Sequence, residues 1–514
     1  MKSVTKVFFL SLVVAIIFII WGVIPKETLP DYNLNTVTGG IQQFLVSKFG
    51  WFYLLSATGF LIFALFLIFS KYGNIVLGKE GDKPEYSYLT WFAMLFSAGM
   101  GIGLIFWGAA EPISHYYNPP TSDPETANAA REALRYSFFH WGLHPWGIYA
   151  VIALALAYFQ FRKESPGLIS SILTPLLGEK RTSGGIGTFV DFIAVFATIF
   201  GVATSLGFGA KQISGGVSYM FDGLADTFTL QLIIILIVTF LYMISAQTGL
   251  NKGIKYLSNT NIVLAMGLMV FLLFAGPTNF IMDLFTTTLG SYVQNLPLMS
   301  FKLSPFEQSS WTQDWTVFYW AWWIAWAPFV GTFIARVSKG RTVREFILGV
   351  LLVPTIFGGL WFSVFGGTAV HLEYFQGTNI NQLVSEHGSE VALFSVLENM
   401  PLGGIMSFIA ILLISTFFIT SADSATFVLG MQTTNGSLHP PNQVKFIWGI
   451  VQSSAAAILI WQGGLGALQT ASIIAAFPFA MIMILMVFSL LKSFQEEARK
   501  YPLTRQKRKP KEND

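Results

Sequence analysis

Twelve continuous apolar runs dominate the sequence, each long enough to cross about 30 Å of hydrocarbon. They fall at roughly 7–24, 51–70, 89–109, 140–160, 189–209, 228–246, 259–276, 317–335, 346–366, 403–423, 443–461 and 468–491. In lipid, every backbone N–H and C=O must be paired within its own segment or around a closed barrel. Barrel strands alternate apolar and polar residues over about ten positions. These runs do not alternate, so the expected fold is an all-α polytopic membrane protein. Composition agrees: only 11 % of the chain is charged, against about 25 % in soluble domains. The first run, in "MKSVTKVFFLSLVVAIIFIIWGVIP", has the charge pattern of a signal peptide. It is long enough to span, and no small-residue cleavage pattern follows, so it reads as a retained first helix.

The charges give the orientation. With the N-terminus cytoplasmic and twelve crossings, 24 of the 30 Lys and Arg residues fall on the cytoplasmic side. That bias is the positive-inside pattern, and it puts both termini on the cytoplasmic side. With no cysteine in the chain, disulfides, thiolate catalysis and Cys-based metal sites are excluded. The six histidines form no H-E-x-x-H pair, and no sequence cluster of acid, base and nucleophile or of metal ligands suggests an enzyme. Nor does anything suggest nucleic-acid binding. The layout divides into 1–88 (two helices and a cytoplasmic loop), 89–276, an amphipathic external segment 277–316, 317–491, and a basic tail 492–514. Residues 277–316 are expected to hold a helix lying along the membrane interface. The tail suits contact with anionic lipid headgroups.

Two runs look ill suited to an unbroken helix. The third carries Gly99, Gly101 and Gly103 around Met100, in "AGMGIGLIFWG", and each glycine costs about 1 kcal/mol relative to alanine in a helix interior. The eighth carries Pro328 and Gly331. The two lie five runs apart, so each could open a five-helix unit, 3–7 and 8–12, and an odd number inverts the second unit. Inverted repeats with interrupted first helices place a substrate site at the bilayer midplane in many secondary transporters.

Aromatic residues crowd these same runs. "WAWWIAWAPF" (320–329) puts four tryptophans in seven positions, where interfacial anchoring is not expected. Trp322 and Trp326 are four apart and share a helical face, with Trp323 beside them; Trp320 has no assigned role. In "HWGLHPWGIYAV", Trp141, Trp146 and Tyr149 form a second group, with Pro145 expected to bend the helix. Two aromatic walls make a box for a quaternary ammonium, which has no N–H to donate and is held by cation–π attraction worth about 2 kcal/mol when desolvated. No buried carboxylate is needed. Acids in the spans are expected to be few, chiefly Asp191 and Asp423, and Asp423 has no assigned role near the inner end of its span.

The runs "AGMGIGLIFWGAAEPISHY", "WTVFYWAWWIAWAPFVGTFIARVSKGRTVREF" and "FFITSADSATFVLG" closely resemble the betaine/choline/carnitine transporter family, and the resemblance extends over essentially the whole chain. It implies twelve helices in the LeuT-like 5+5 inverted repeat (helices 3–7 and 8–12) after two N-terminal helices, and a homotrimer. By position it assigns Trp141, Trp146 and Tyr149 to one wall of the substrate site and Trp322, Trp323 and Trp326 to the other. Phe329 and Phe333 follow toward the cytoplasm, and Gly99, Met100, Gly101 and Gly103 match the unwound third helix. Gly103, where choline carriers of the family have Asp, favours a zwitterion such as glycine betaine. The intact glycine pattern and the lack of a mid-span arginine favour the sodium-coupled glycine betaine carriers of Gram-positive bacteria. Carnitine/γ-butyrobetaine exchange without sodium and choline transport are the alternatives. The resemblance places one sodium at Thr420, Ser421 and Phe417 with carbonyls near Ser97 and Met100. A second would sit at Thr204 near Phe329. Na+ is then the coupling ion, and no other cofactor is implied.

Overall fold

The structure, a computed structural model, describes residues 4–500 apart from 100, 222, 249–250 and 308, and for 96–99, 247–248, 251–255 and 500 it describes the backbone alone. Met100, the side chain of Ser97 and the tail from 501 onward therefore lie outside the described residues. Among those described, regular structure is helical throughout, apart from one isolated bridge between Val76 and Thr342.

Among the described residues, nine helices are long and apolar enough to cross a membrane, including Leu34–Phe69, Gly185–Met220, Gln313–Val337 and Gly403–Thr433. Many outrun the apolar stretches that predict them, because polar turns at their ends fall below the hydropathy of the interior but are well capped. Leu34–Phe69 starts far ahead of residue 51, where Asn33 accepts the Thr36 N–H at 3.0 Å. Val343–His371 opens on a capping box formed by Thr342 and Glu345. Gly403–Thr433 runs well past 423, so Asp423 sits inside the helix rather than near its end. The last two runs join in Asn442–Lys500, where Gly463 and Gly464 leave helical geometry and kink it. Two segments between the long helices are folded: 277–316 contains the helix Thr278–Ser300, and 367–400 contains Ile380–His387 and Ala392–Glu398.

The two expected breaks turn out differently. The third run splits into Tyr88–Gly99 and Ile102–Tyr117, with Gly101 extended at φ −155°, ψ −175°. Its second half continues past the expected end at 109. The eighth run does not split: Phe318–Val337 is helical through Pro328 and Gly331. Gly331 serves packing instead, since a Cβ there would lie 2.5 Å from Ile152 Cγ2 on the neighbouring helix.

The fourth run has a break that the sequence reading puts at the wrong residue. Ala127–Trp141 and Leu143–Ala157 meet at Gly142, not at Pro145. A Cβ on Gly142 would lie 2.4 Å from the Phe138 carbonyl oxygen and 2.8 Å from the Tyr292 hydroxyl, so this approach requires glycine. The Leu143 N–H, left free at the new helix start, donates to the Tyr292 hydroxyl at 3.0 Å. Pro145 falls in the first turn of the second half, where a missing N–H costs no helix bond.

Candidate functional site

Helix Phe318–Val337 packs along Leu143–Ala157, with Gly185–Met220 and the kinked last helix around them. The break at Gly142 leaves Trp141 ending one helix while Trp146 and Tyr149 lie on the next. This turn gathers five rings. Trp141 meets Trp323 edge to face at 4.9 Å between centroids and Trp322 at 6.0 Å. Tyr149 meets Trp323 at 5.5 Å and Trp146 at 5.6 Å, both near perpendicular. Trp322 and Trp323 lie 5.5 Å apart at 27°. Such pairs are worth about 0.5–1.5 kcal/mol each beyond the area they bury. Phe208 closes on Trp322 at 5.1 Å from the fifth predicted run.

The broken helix forms the floor of this box. A Cβ on Gly103 would lie 2.3 Å from Trp322 Cη2 and 3.3 Å from Trp141 Cη2, so the backbone there sits directly against both walls. At Gly101 the same test meets nothing within 4 Å. Gly99 is the last residue of the first half.

Most ring N–H groups are taken. Trp323 donates to the His140 carbonyl at 3.0 Å, Trp326 to the Gly201 carbonyl at 2.5 Å, and Trp141 to Glu111 Oε2 at 2.8 Å. Among the described residues, two buried polar groups of the box have no hydrogen-bond partner, the Trp322 indole nitrogen and the Tyr149 hydroxyl. Leaving such a group unsatisfied costs about 1–3 kcal/mol.

Trp326 stands apart from the five. It pairs with Phe329 at 5.3 Å and leans on Gly201, and among the described residues no ring contact joins this pair to the box. Phe333 is exposed on the helix surface. Trp320 stacks on His144 at 5.1 Å and 14° and packs on Phe139, so its role is structural.

The expectation that the acids in the spans are chiefly Asp191 and Asp423 misses Glu111. It is fully buried in Ile102–Tyr117, two residues beyond the predicted end of the third run. Oε1 accepts from His140 Nδ1 at 2.7 Å and His115 Nε2 at 3.1 Å. Oε2 accepts from the Trp141 indole and, at 2.5 Å, from the Tyr319 hydroxyl. Thr316 lies 2.9 Å from His140 Nε2. The ligand atoms of Glu111, His115 and His140 lie within 4.8 Å of one another, as metal ligands would, but they are spent on one another. A sequence signal existed: Glu111 and His115 are spaced i,i+4, one face of a helix.

Two of the hydroxyls assigned to sodium, those of Thr420 and Thr204, have protein partners. Thr420 Oγ1 is bonded within its helix to the carbonyls of Thr416 and Phe417 and accepts from Asn261 Nδ2 at 3.0 Å. Ser421 is half-buried beside it, and Phe417 is buried. Thr204 Oγ1 lies 2.9 Å from both the Leu468 carbonyl and Ser472 Oγ, just past the kink of the last helix. Asp423 accepts from Ser245 at 2.9 Å.

This chain is similar to known proteins along its whole length. The profile of the BCCT, betaine/carnitine/choline family transporter, family matches residues 6–499. A glycine betaine transporter, OpuD, of Bacillus subtilis (strain 168) is 54 % identical over 97 % of this chain and 96 % of its own. A probable glycine betaine transporter of Desulfitobacterium hafniense (strain Y51) is 45 % identical over 96 % of this chain and 98 % of its own. An ectoine/hydroxyectoine transporter of Virgibacillus pantothenticus is 44 % identical over 96 % and 97 %. With its helices long enough to cross a membrane several times, the chain is a multi-pass membrane transporter, not an enzyme, and it belongs to the betaine/carnitine/choline transporter family.

Proposed function

We propose that the protein imports glycine betaine, or a related trimethylammonium osmolyte, together with Na+ by alternating access, as protection against high osmolarity. One observation carries this reading: the five-ring box against the broken helix, with two unspent buried polar groups on its walls. The rings suit a methylated cation, and the Trp322 N–H and Tyr149 O–H are donors of the kind its carboxylate needs. The glycine betaine transporters among the relatives support the same substrate class.

We read twelve crossings: the nine long helices, with the last counted as two about its kink, plus the short Lys6–Gly22 and the broken helix. On this reading the broken helix and the tryptophan helix open the two inverted five-helix repeats, 89–276 and 317–491. The N-terminal pair (1–88), the external helix (277–316) and the tail (492–514) stand outside them. Both termini lie in the cytoplasm of the cell membrane, the basic tail touches anionic lipid, and three copies assemble. Sodium would be held by Thr420 and Ser421 with Phe417 and the backbone near Ser97 and Met100, and a second ion by Thr204 near Phe329. The extended backbone at Gly101 leaves polar groups for the ion and the substrate carboxylate. Each sodium moving inward gains about 2.3 kcal/mol per 100 mV of membrane potential, which drives accumulation.

The test is uptake of radiolabelled glycine betaine into proteoliposomes, with proline betaine, carnitine, choline and ectoine as competitors. Uptake should be saturable, should need no internal substrate, and should disappear when Na+ is replaced by K+. Uptake unchanged in K+ would remove the symport, and uptake that requires internal substrate would favour exchange.

A further inference from the structure

Glu111 is acceptor to four donors from three helices, and none of them is on the solvent side of the protein. His115 lies one turn along on its own helix. His140 and Trp141 end the helix before Gly142, and Tyr319 lies on the tryptophan helix. An ionised carboxylate is acceptor-only, with room for about four bonds, so it fits this set without conflict. Buried charges persist only when they are hydrogen-bonded, and here both oxygens are. The histidines fit neutral tautomers. With Nδ1 donating to Glu111, the bare His140 Nε2 takes the Thr316 hydroxyl proton. With Nε2 donating, the bare His115 Nδ1 is left without a partner.

Two of the four donors bear directly on the substrate box. Trp141 is itself a wall ring, in contact with Trp322 and Trp323. Tyr319 precedes Trp322 by one turn and packs on Trp141 at 5.7 Å. A third acts through the backbone: His140, held by Glu111 through its ring, offers its carbonyl to the Trp323 indole. One carboxylate on the broken helix thus sets the orientation of rings on both walls. Its charge adds a chemical effect. Hydrogen bonds in a low-dielectric interior polarise one another. An indole donating to a carboxylate therefore becomes more electron-rich, and its face attracts a cation more strongly.

We infer that Glu111 is the positioning residue of the aromatic box, acting through Trp141 and Tyr319 to make it selective for a methylated cation. This rests on the functional reading above. Glu111→Gln is the informative change. It keeps the size of the side chain but replaces one acceptor oxygen by an NH2 group that faces donors. A merely structural role would weaken folding by the same amount whatever stands at 141 and 319. A positioning role must vanish when those partners can no longer bond.

The experiment is a double-mutant cycle on the purified full chain, read as the dissociation constant for glycine betaine from tryptophan fluorescence, with size-exclusion profiles to verify folding. Glu111→Gln should weaken binding tenfold or more in the wild-type background. It should do so less than threefold where Trp141→Phe and Tyr319→Phe are already present. Equal losses in both backgrounds, or unchanged affinity in folded Glu111→Gln, overturn the inference. If Glu111→Gln does not fold, the same cycle run with Glu111→Asp, whose carboxylate is one methylene too short, decides by the same criterion. A wild-type protein that binds no glycine betaine overturns the functional reading and this inference with it. A wild-type protein that binds but gives an additive cycle overturns only the role of Glu111.

Discussion

Helix Phe318–Val337 carries a proline and a glycine in its interior and stays helical, whereas segment 88–117 carries glycines at 99, 101 and 103 and breaks. Propensity alone does not separate them, since an interior proline costs about 3 kcal/mol and each glycine about 1. What separates them is the space around each residue. Gly331 and Gly103 have no room for a side chain: the nearest atoms to an added Cβ are Ile152 Cγ2 at 2.5 Å and Trp322 Cη2 at 2.3 Å. Gly101 has open space and extended backbone. So the break belongs to Gly101, while Gly103 shares with Gly331 the task of bringing two elements close. The glycine stretch does two jobs, and the tryptophan helix does one of them.

The comparison breaks first at Gly103. A leucine there must displace Trp322, and through it the stack with Trp323. Overpacking of this kind costs about 1–3 kcal/mol, so Gly103→Leu should weaken glycine betaine binding about 5- to 150-fold. Fluorescence titration of the purified protein measures it. Affinity within a factor of two of wild type would show that the floor of the box yields, and that Gly103 is not matched to the tryptophan walls.

Gly331→Leu tests the other half of the pairing. The clash is as close, but it falls on Ile152 and the Ala153 backbone, away from the box. The expected outcome is a loss of about 1–3 kcal/mol of stability, seen as a lower midpoint in thermal unfolding, with substrate affinity nearly unchanged. A large affinity loss with normal stability would mean that the contact between these helices shapes the walls.

How far the sequence could foresee this site depended on range. Trp141, Tyr149, Trp322 and Trp323 were legible because residue type and helical spacing both pointed to an aromatic box. Trp326 has the right spacing from Trp322, yet it turns to the Gly201 carbonyl, because only the packing partner decides where an indole N–H goes. Sequence alone points to Pro145 for the bend that lies at Gly142, since a close approach to Tyr292 leaves no mark in one sequence. Glu111 escapes a hydropathy reading because the third apolar run ends at 109. The helix continues to Tyr117 by pairing its acid with groups up to 208 positions away in the chain. The long helices were foreseeable, but their polar ends were not, because caps such as Asn33 lie outside any apolar window.

Gly101→Ala should have a smaller effect. Its backbone, at φ −155°, is open to any residue, and nothing lies within 4 Å of an added Cβ. The change acts through propensity: alanine favours the helix by about 1 kcal/mol, which biases the break toward closure. Binding and sodium dependence should shift by about fivefold at most. A Gly101→Ala protein as damaged as Gly103→Leu would mean that position 101 is constrained by fit after all, and the division of labour within the stretch would fail.

Pro328→Ala should do least. The proline removes one backbone donor and leaves the Ile324 carbonyl without its helical partner, yet the helix continues. In soluble helices the replacement would recover about 3 kcal/mol. In a membrane helix, neighbouring groups and hydroxyls re-satisfy freed backbone. The gain should therefore be a fraction of that figure, a rise of a few degrees at most in the unfolding midpoint. Trp322, Trp323 and Phe329 flank the proline on a helix that is already continuous, so glycine betaine affinity should not move. A change in affinity with no change in stability would be the informative failure. It would mean that Pro328 bends the tryptophan wall toward the broken helix.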